Sequence, residues 1–220
     1  MNTTVFLILT IVPLIITILY YFGVFRYFQL HSKSSEKYID NYKKLNKASK
    51  TDKVIISFTT IPKRINKIKP MINSLLDQTV KVDGIYLNIP ENINGEKYKI
   101  PKEFNNILNI FTSGKDYGKS TKFIPTMLRE DNSNTIIILL DDDYIYGKDF
   151  IETIVEESKK NENSTILSKK AILLKPKFID SEKFFDRDKK TLKDDWIEQI
   201  INSKKINLKY NENYKSYKIK

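Results

Sequence analysis

The sequence contains no cysteine. That removes disulfides, thiolate metal sites and cysteine nucleophiles, and it fits a reducing compartment. The one histidine, His31, stands beside the apolar N-terminal segment. The body of the chain therefore builds neither a histidine-based zinc site nor a Ser-His-Asp triad. No internal repeat is visible. What remains for chemistry is carboxylates, lysines, hydroxyls and, through the carboxylates, a hard metal ion. Of 220 residues, 40% are hydrophobic and 12% aromatic, enough for one packed domain and too much for wholesale disorder.

The net charge is +11, and its placement carries the information. Residues 31–53 hold seven lysines against three acids, and residues 201–220 hold six against one. Residues 54–200 carry 24 basic and 23 acidic side chains. A nucleic-acid binder would gather its excess on one face of the domain. Excess at the two ends argues against a nucleic-acid partner and for membrane-surface or solvating segments.

Residues 5–25 are free of charge. At about 1.5 Å per residue a helix of that length crosses a hydrocarbon core of about 30 Å. Tyr20, Tyr21 and Phe22 would form an interfacial aromatic belt, with Arg26 beyond it. A cleaved signal peptide is the rival, but the run lacks a basic leader and a small-x-small cleavage site. The expected organisation is a transmembrane anchor at 1–30, a basic stem at 31–53, a globular domain at 54–208 and a basic tail at 209–220. The lysines after the anchor place the domain in the cytosol by the positive-inside rule. The triplet Asn163-Ser164-Thr165, a glycosylation acceptor usable only on the lumenal side, points the other way.

The rest alternates between strand and helix patterns. Strands are expected at 53–60, 84–90, 107–111, 134–140 and 171–179, and helices at 64–78, 119–131, 148–160 and 194–204. Alternation of this kind predicts an α/β fold with a mostly parallel sheet flanked by helices.

The sharpest local signal is IIILLDDDYIYGKDF, residues 136–150. Five apolar residues, as in a strand buried on both faces, run into Asp141, Asp142 and Asp143. Ligands bind at the carboxyl edge of such sheets. Alternate residues of an extended chain face the same way, so Asp141 and Asp143 are expected to point together and Asp142 elsewhere. Two converging carboxylates repel unless a cation lies between them, and Mg²⁺ or Mn²⁺ suits oxygen ligands. A solvated acidic turn is the plain alternative.

The stretch ILLDDDYIYGKDFIETIVE resembles the Asp-x-Asp region of nucleotide-sugar glycosyltransferases of the GT-A fold, which is Rossmann-like. ISFTTIPKRINKIKPMINSLLDQT resembles the opening strand, loop and helix of a bacterial and large-virus branch near glycosyltransferase family 2. IYLNIP, YKIPKEF, DYGKSTKFIPTM, AILLKPKFID and LKDDWIEQIINSKKI resemble later segments, in order, so the resemblance spans about residues 54–208.

It implies a metal-dependent transfer, inverting in outcome, from a nucleotide-diphosphate sugar to a glycan, lipid or protein acceptor. Asp141 and Asp143 would hold Mn²⁺ or Mg²⁺. Thr59, Thr60, Pro62, Arg64, Gly118, Lys119, Lys122 and Asp142 would bind the nucleotide donor. Asp195 or Asp194 would be the general base, although carboxylates at a helix start are also ordinary caps. Trp196 would stack on a sugar or fill the core. One departure stands out: only about ten residues separate the helix ending near Lys160 from AILLKPKF, where the family carries a longer acceptor-side insertion. The rivals are therefore an inactive relative of that fold and a membrane-tethered binding module without activity.

Overall fold

The computed structural model describes residues 3–21, 23–168, 170–179, 207–210 and 216–219. The chain divides into two compact units, Met1–Ser34 and Ser35–Lys220.

The first unit holds helices α1 (Thr3–Tyr21) and α2 (Val24–Ser32). Gly23, between them, sits at φ 70°, a left-handed conformation that favours glycine and ends helices. The expected single straight span over 5–25 is thus broken. Among the described residues no single helix is long and apolar enough to cross a membrane. The bent pair Leu9–Tyr20 and Val24–Ser32, at 63°, meets that requirement by length and composition. Leu9, Leu14, Ile16 and Ile18 of α1 are exposed.

The second unit opens with α3 (Glu36–Lys44), in the stretch where a stem without periodicity is expected. Tyr38, Ile39 and Tyr42 form its apolar stripe and pack on the core, while Lys37, Lys43 and Lys44 face solvent. The Tyr42 hydroxyl accepts the Val82 N–H at 2.9 Å, and burial pushes its pKa up to about 12. The Ala48 N–H donates to the Lys81 carbonyl at 2.8 Å. Lys37, Lys43 and Lys44 are the wet face of a docked helix.

Then follow β1 (Val54–Phe58), α4 (Lys69–Leu76), β2 (Gly84–Pro90), the small hairpin β3 (Asn92–Ile93) and β4 (Glu96–Lys97), and β5 (Asn109–Ser113). Next come α5 (Ile124–Arg129), β6 (Ile136–Leu140), β7 (Tyr144–Tyr146), α6 (Phe150–Lys160), β8 (Ser164–Leu167) and β9 (Ala171–Leu174). The last described elements are β10 (Asn207–Tyr210) and β11 (Ser216–Lys218). Seven strands form one sheet in the order β10-β8-β9-β6-β1-β2-β5. All run parallel except β9, which is antiparallel to both its neighbours. The chain is a mixed α/β protein with a mostly parallel sheet flanked by helices.

Both faces of the sheet are covered, which is why β1 and β6 read as continuous apolar runs. Val54, Ile56, Phe58, Ile136, Ile138 and Leu140 pack with α4 and α6 in the larger core. Ile55, Ile137 and Leu139 meet Phe123, Ile124 and Met127 on the other face. Each such side chain contributes about 1.5–3 kcal/mol when fully buried.

Several expected elements change at their ends. Pro70 sits in the first turn of α4, where a missing N–H costs nothing, so the helix expected at 64–78 begins only at Lys69. The helix expected at 119–131 splits into a 3-10 turn, Gly118–Lys122, and α5. The strand expected at 171–179 stops at Leu174, because Pro176 opens a 3-10 turn. The tail expected at 209–220 contributes β11, which pairs antiparallel with β7. The helix expected at 194–204 lies outside the described residues.

Candidate functional site

The strand order creates the site. From β1 the chain steps through β2 to β5, then returns to place β6 on the other side of β1. Loops leaving two adjacent parallel strands in opposite directions open a crevice at their carboxyl ends. Here those loops are 59–64 after β1 and 141–143 after β6. The crevice between them is a cleft of about 460 Å³. Thr59, Thr60, Ile61 and Arg64 line it from β1, Pro90 and Ile93 from β2 and its hairpin, and Asp116, Gly118, Lys119 and Lys122 from the segment after β5. Leu140, Asp141, Asp142 and Asp143 complete it. Of the residues expected to bind a donor, only Pro62 is not among the lining side chains. It lies in the turn that the Arg64 N–H closes on the Ile61 carbonyl at 2.9 Å.

Strand β6 ends at Leu140 and a turn begins at Asp142. The alternation expected for 141–143 therefore does not apply. Asp142, not Asp143, is the most enclosed of the three, with side-chain exposures of 38% at Asp141, 13% at Asp142 and 23% at Asp143. Asp142 accepts the Thr60 hydroxyl at 2.6 Å and pairs with Arg64 Nη2 at 3.1 Å. Asp143 shares that guanidinium at 3.9 Å. Asp141 faces the other way, its Oδ1 2.7 Å from Lys122 Nζ. Arg64 thus groups Asp142 with Asp143, and Lys122 holds Asp141 apart. Burial raises the Asp142 pKa above the usual carboxylate value, against the pull of Thr60 and Arg64 and with help from the Asp143 charge.

The backbone beneath these groups is held from behind. The fully buried Tyr146 hydroxyl accepts the Asp141 N–H at 3.0 Å and lies 2.9 Å from the Asp141 carbonyl and 3.1 Å from that of Lys170. Burial keeps this phenol protonated, its pKa raised well above the ordinary value. The Ile219 N–H, just past β11, donates to the Asp143 carbonyl at 2.7 Å. On the facing loop the Tyr98 hydroxyl donates to the Thr60 carbonyl at 2.8 Å, and burial pushes its pKa up to about 12. Gly118 adopts φ 58°, which an L side chain resists. Its N–H donates to Asp116 Oδ1 at 2.8 Å.

No family profile and no curated protein matches the chain. Among solved structures it is similar to that of S. aureus TarS, at 15% identity and a TM-score of 0.40, over 53% of this chain and 21% of that one. The chain thus spans about a fifth of TarS. It is also similar to a putative glucose-1-phosphate thymidylyltransferase from Bacillus anthracis in complex with a sucrose, at 14% identity and a TM-score of 0.43. That likeness covers 76% of this chain and 89% of the other.

Carboxylate oxygens are the right donors for Mg²⁺ or Mn²⁺. Among the described residues, however, no three acidic or imidazole groups converge tightly enough to hold an ion by themselves. The ammonium of Lys122 already stands where a cation would meet Asp141. Asp141 and Asp143, paired with Lys122 and Arg64 respectively, do not form a ready-made ion site by themselves.

Asp194, Asp195 and Trp196 lie outside the described residues. The site residues that sequence reasoning missed are Asp116, Ile61, Pro90 and Ile93 in the lining, and Tyr98 and Tyr146 behind it. Asp116 stands two residues before Gly118, close enough to have been noticed with it. The others carry no local signal, because their relevance comes from strand order.

Proposed function

We propose that this chain is a glycosyltransferase of GT-A type, which moves a sugar from a nucleoside-diphosphate sugar to an acceptor hydroxyl. One observation carries this reading: the loop after β1 and the acidic turn after β6 meet across a cleft that also holds Lys119 and Lys122. In that cleft Ile61, Pro90 and Ile93 offer an apolar wall for a base and ribose, with Thr59 and Asp116 as polar partners. Arg64, Lys119 and Lys122 supply positive charge for the diphosphate. Asp141 and Asp143 are the residues that would hold Mn²⁺ or Mg²⁺. A bound ion of that kind stabilises charge on a leaving phosphate. Asp142, bonded to Thr60 and Arg64, ties the two loops together and aims the guanidinium. The base that takes the acceptor proton is assigned to Asp195 or Asp194, which must come within hydrogen-bond reach of that hydroxyl. An attack opposite the leaving group inverts the anomeric centre.

The exposed apolar residues of α1 support attachment to a membrane, and the lysines that follow favour the cytosolic side. In the Asn163-Ser164-Thr165 triplet, Ser164 and Thr165 open β8 and are buried, whereas Asn163 stands exposed in the turn before it. One observation favours a second reading: the link between α6 and β9 is short and contains β8 (Ser164–Leu167), which leaves little chain there to build an acceptor pocket. The protein then binds a donor without transferring the sugar.

A panel of nucleotide sugars, read by thermal shift with and without Mn²⁺, tests the main reading. A ligand bound only by the folded chain, at a hundred times its Kd, adds about 2.7 kcal/mol of stability. Product formation from the stabilising donor separates the two readings. A panel without any stabilising member would remove both.

A further inference from the structure

Resting on the membrane attachment proposed above, we propose that α2 is an interfacial helix. It lies along a lipid surface with Phe25 and Phe28 at the headgroup–acyl boundary, and α1 alone enters the bilayer. Four observations converge on this.

The first is composition. Helix α1 carries no charge, and its residues 9–18 are exposed without a break. Ile11, Val12, Leu14 and Ile15 among them are large and apolar, so the helix shows apolar groups on every side and suits hydrocarbon. Helix α2 places Arg26, Gln29, His31 and Ser32 within nine residues. Polar groups at that density are costly in the acyl core and accommodated at its boundary.

The second is sidedness. Phe25, Phe28, Gln29 and Ser32 are the exposed residues of α2. Spacings of three, four and seven put them on one face. Phe25 is 42% exposed and Phe28 64%, while Leu30 on the opposite side is 1% exposed. One side of the helix is packed, and the other offers two bare rings beside two hydrogen-bonding side chains. That is the make-up of a surface seated between headgroups and acyl chains.

The third is the bend. The two helices meet at 63°, with the turn at Gly23. A membrane helix is tilted by about 20° on average, and such a tilt of α1 is enough to bring α2 close to the membrane plane. The fourth is charge. Residues 31–53, which follow α2, hold seven lysines against three acids. That excess suits anionic headgroups and opposes a second copy of the same basic chain as the occupant of this face.

The test uses the full chain in nanodiscs of equal parts POPC and POPG. Because the sequence has no cysteine, single spin labels can be placed without ambiguity. Phe25→Cys, Phe28→Cys, Gln29→Cys and Ser32→Cys sample the exposed face, and Leu14→Cys samples α1. Depth is read from collision with oxygen against a water-soluble nickel chelate. The four α2 labels should share one depth near the headgroups, with the Leu14→Cys label deeper. Replacing both rings, Phe25→Ser with Phe28→Ser, should move the Ser32→Cys label into water and leave the Leu14→Cys label in the acyl region. The proposal is overturned if depth changes steadily from Phe25→Cys to Ser32→Cys, by about 10 Å for a helix that crosses. It is equally overturned if all four labels face water, if they report spin–spin contact with a second copy, or if losing both rings changes nothing. A Leu14→Cys label without lipid contact would instead remove the membrane attachment itself, and this inference with it.

Discussion

Two clusters of charge sit at opposite ends of β1, and they are built differently. At the amino end Glu130, with only 5% of its side chain exposed, receives both bonds of Lys53 Nζ, at 2.8 and 3.0 Å, and the Tyr86 hydroxyl at 2.9 Å. Arg129 lies 3.4 Å over the Phe111 ring. Its guanidinium pKa is lowered by burial, and the Lys53 pKa is raised mainly by its bond to Glu130. The carboxylate there is fully engaged, and the cations serve packing. At the carboxyl end four aspartates face three cations across an open cleft. The comparison teaches that buried charge alone does not mark a site. A shortfall of counter-charge beside empty volume does, because it is the condition a charged ligand can relieve.

Substitutions can break this contrast, and the largest effect belongs to the cleft. Asp141→Asn should lower turnover on the order of 10²–10³-fold, as loss of one transition-state electrostatic partner does, with little change in melting temperature. Initial rates and thermal melts on the same preparation check it. Equal losses of rate and stability would erase the distinction between the clusters. Glu130→Ala should do the reverse. It leaves the Tyr86 hydroxyl and Lys53 without their acceptor and costs about 2 kcal/mol by denaturant titration, while nucleotide affinity per folded molecule stays the same.

Tyr146→Phe sharpens the comparison, because this residue links core and cleft. Removing its hydroxyl leaves the Asp141 N–H with only its longer bond to the Lys170 carbonyl at 3.3 Å, at a cost of about 1 kcal/mol. Nucleotide affinity should fall as well, as calorimetry would show. The smallest effect concerns pH. The raised Asp142 pKa means the folded chain holds that proton more readily than the unfolded chain. Stability from this group is therefore gained as pH falls through the folded pKa and lost as pH rises. Asp142→Asn should raise the melting temperature slightly at pH 7, and the gain should vanish below the ordinary carboxylate range. A gain that grows on acidification would reverse the assigned cause.

The acidic turn was legible because two local signals coincide there, five apolar residues and then three carboxylates. Strand β2 was legible over its whole length, 84–90. Helix α3 was not, because its charges obscure a stripe of only three apolar residues, Tyr38, Ile39 and Tyr42. Strand β8 was hidden in a short link. Strands β7 and β11 are three residues each and gain definition only from one another. The pairing of Arg64 with Asp142 and Asp143 could not be read from spacing, since it joins positions about eighty apart.

The sequence by itself determined the layered α/β class and put three carboxylates at the end of a buried strand, because side-chain period and burial on two faces are local properties. It also determined that histidine and cysteine chemistry are absent from the body of the chain. Only the tertiary structure decided which loops face each other, which aspartate lies deepest and which cation holds it. Those choices depend on β1 lying between β2 and β6, an order set by packing between distant segments, and on a turn that ends the strand's alternation at Leu140.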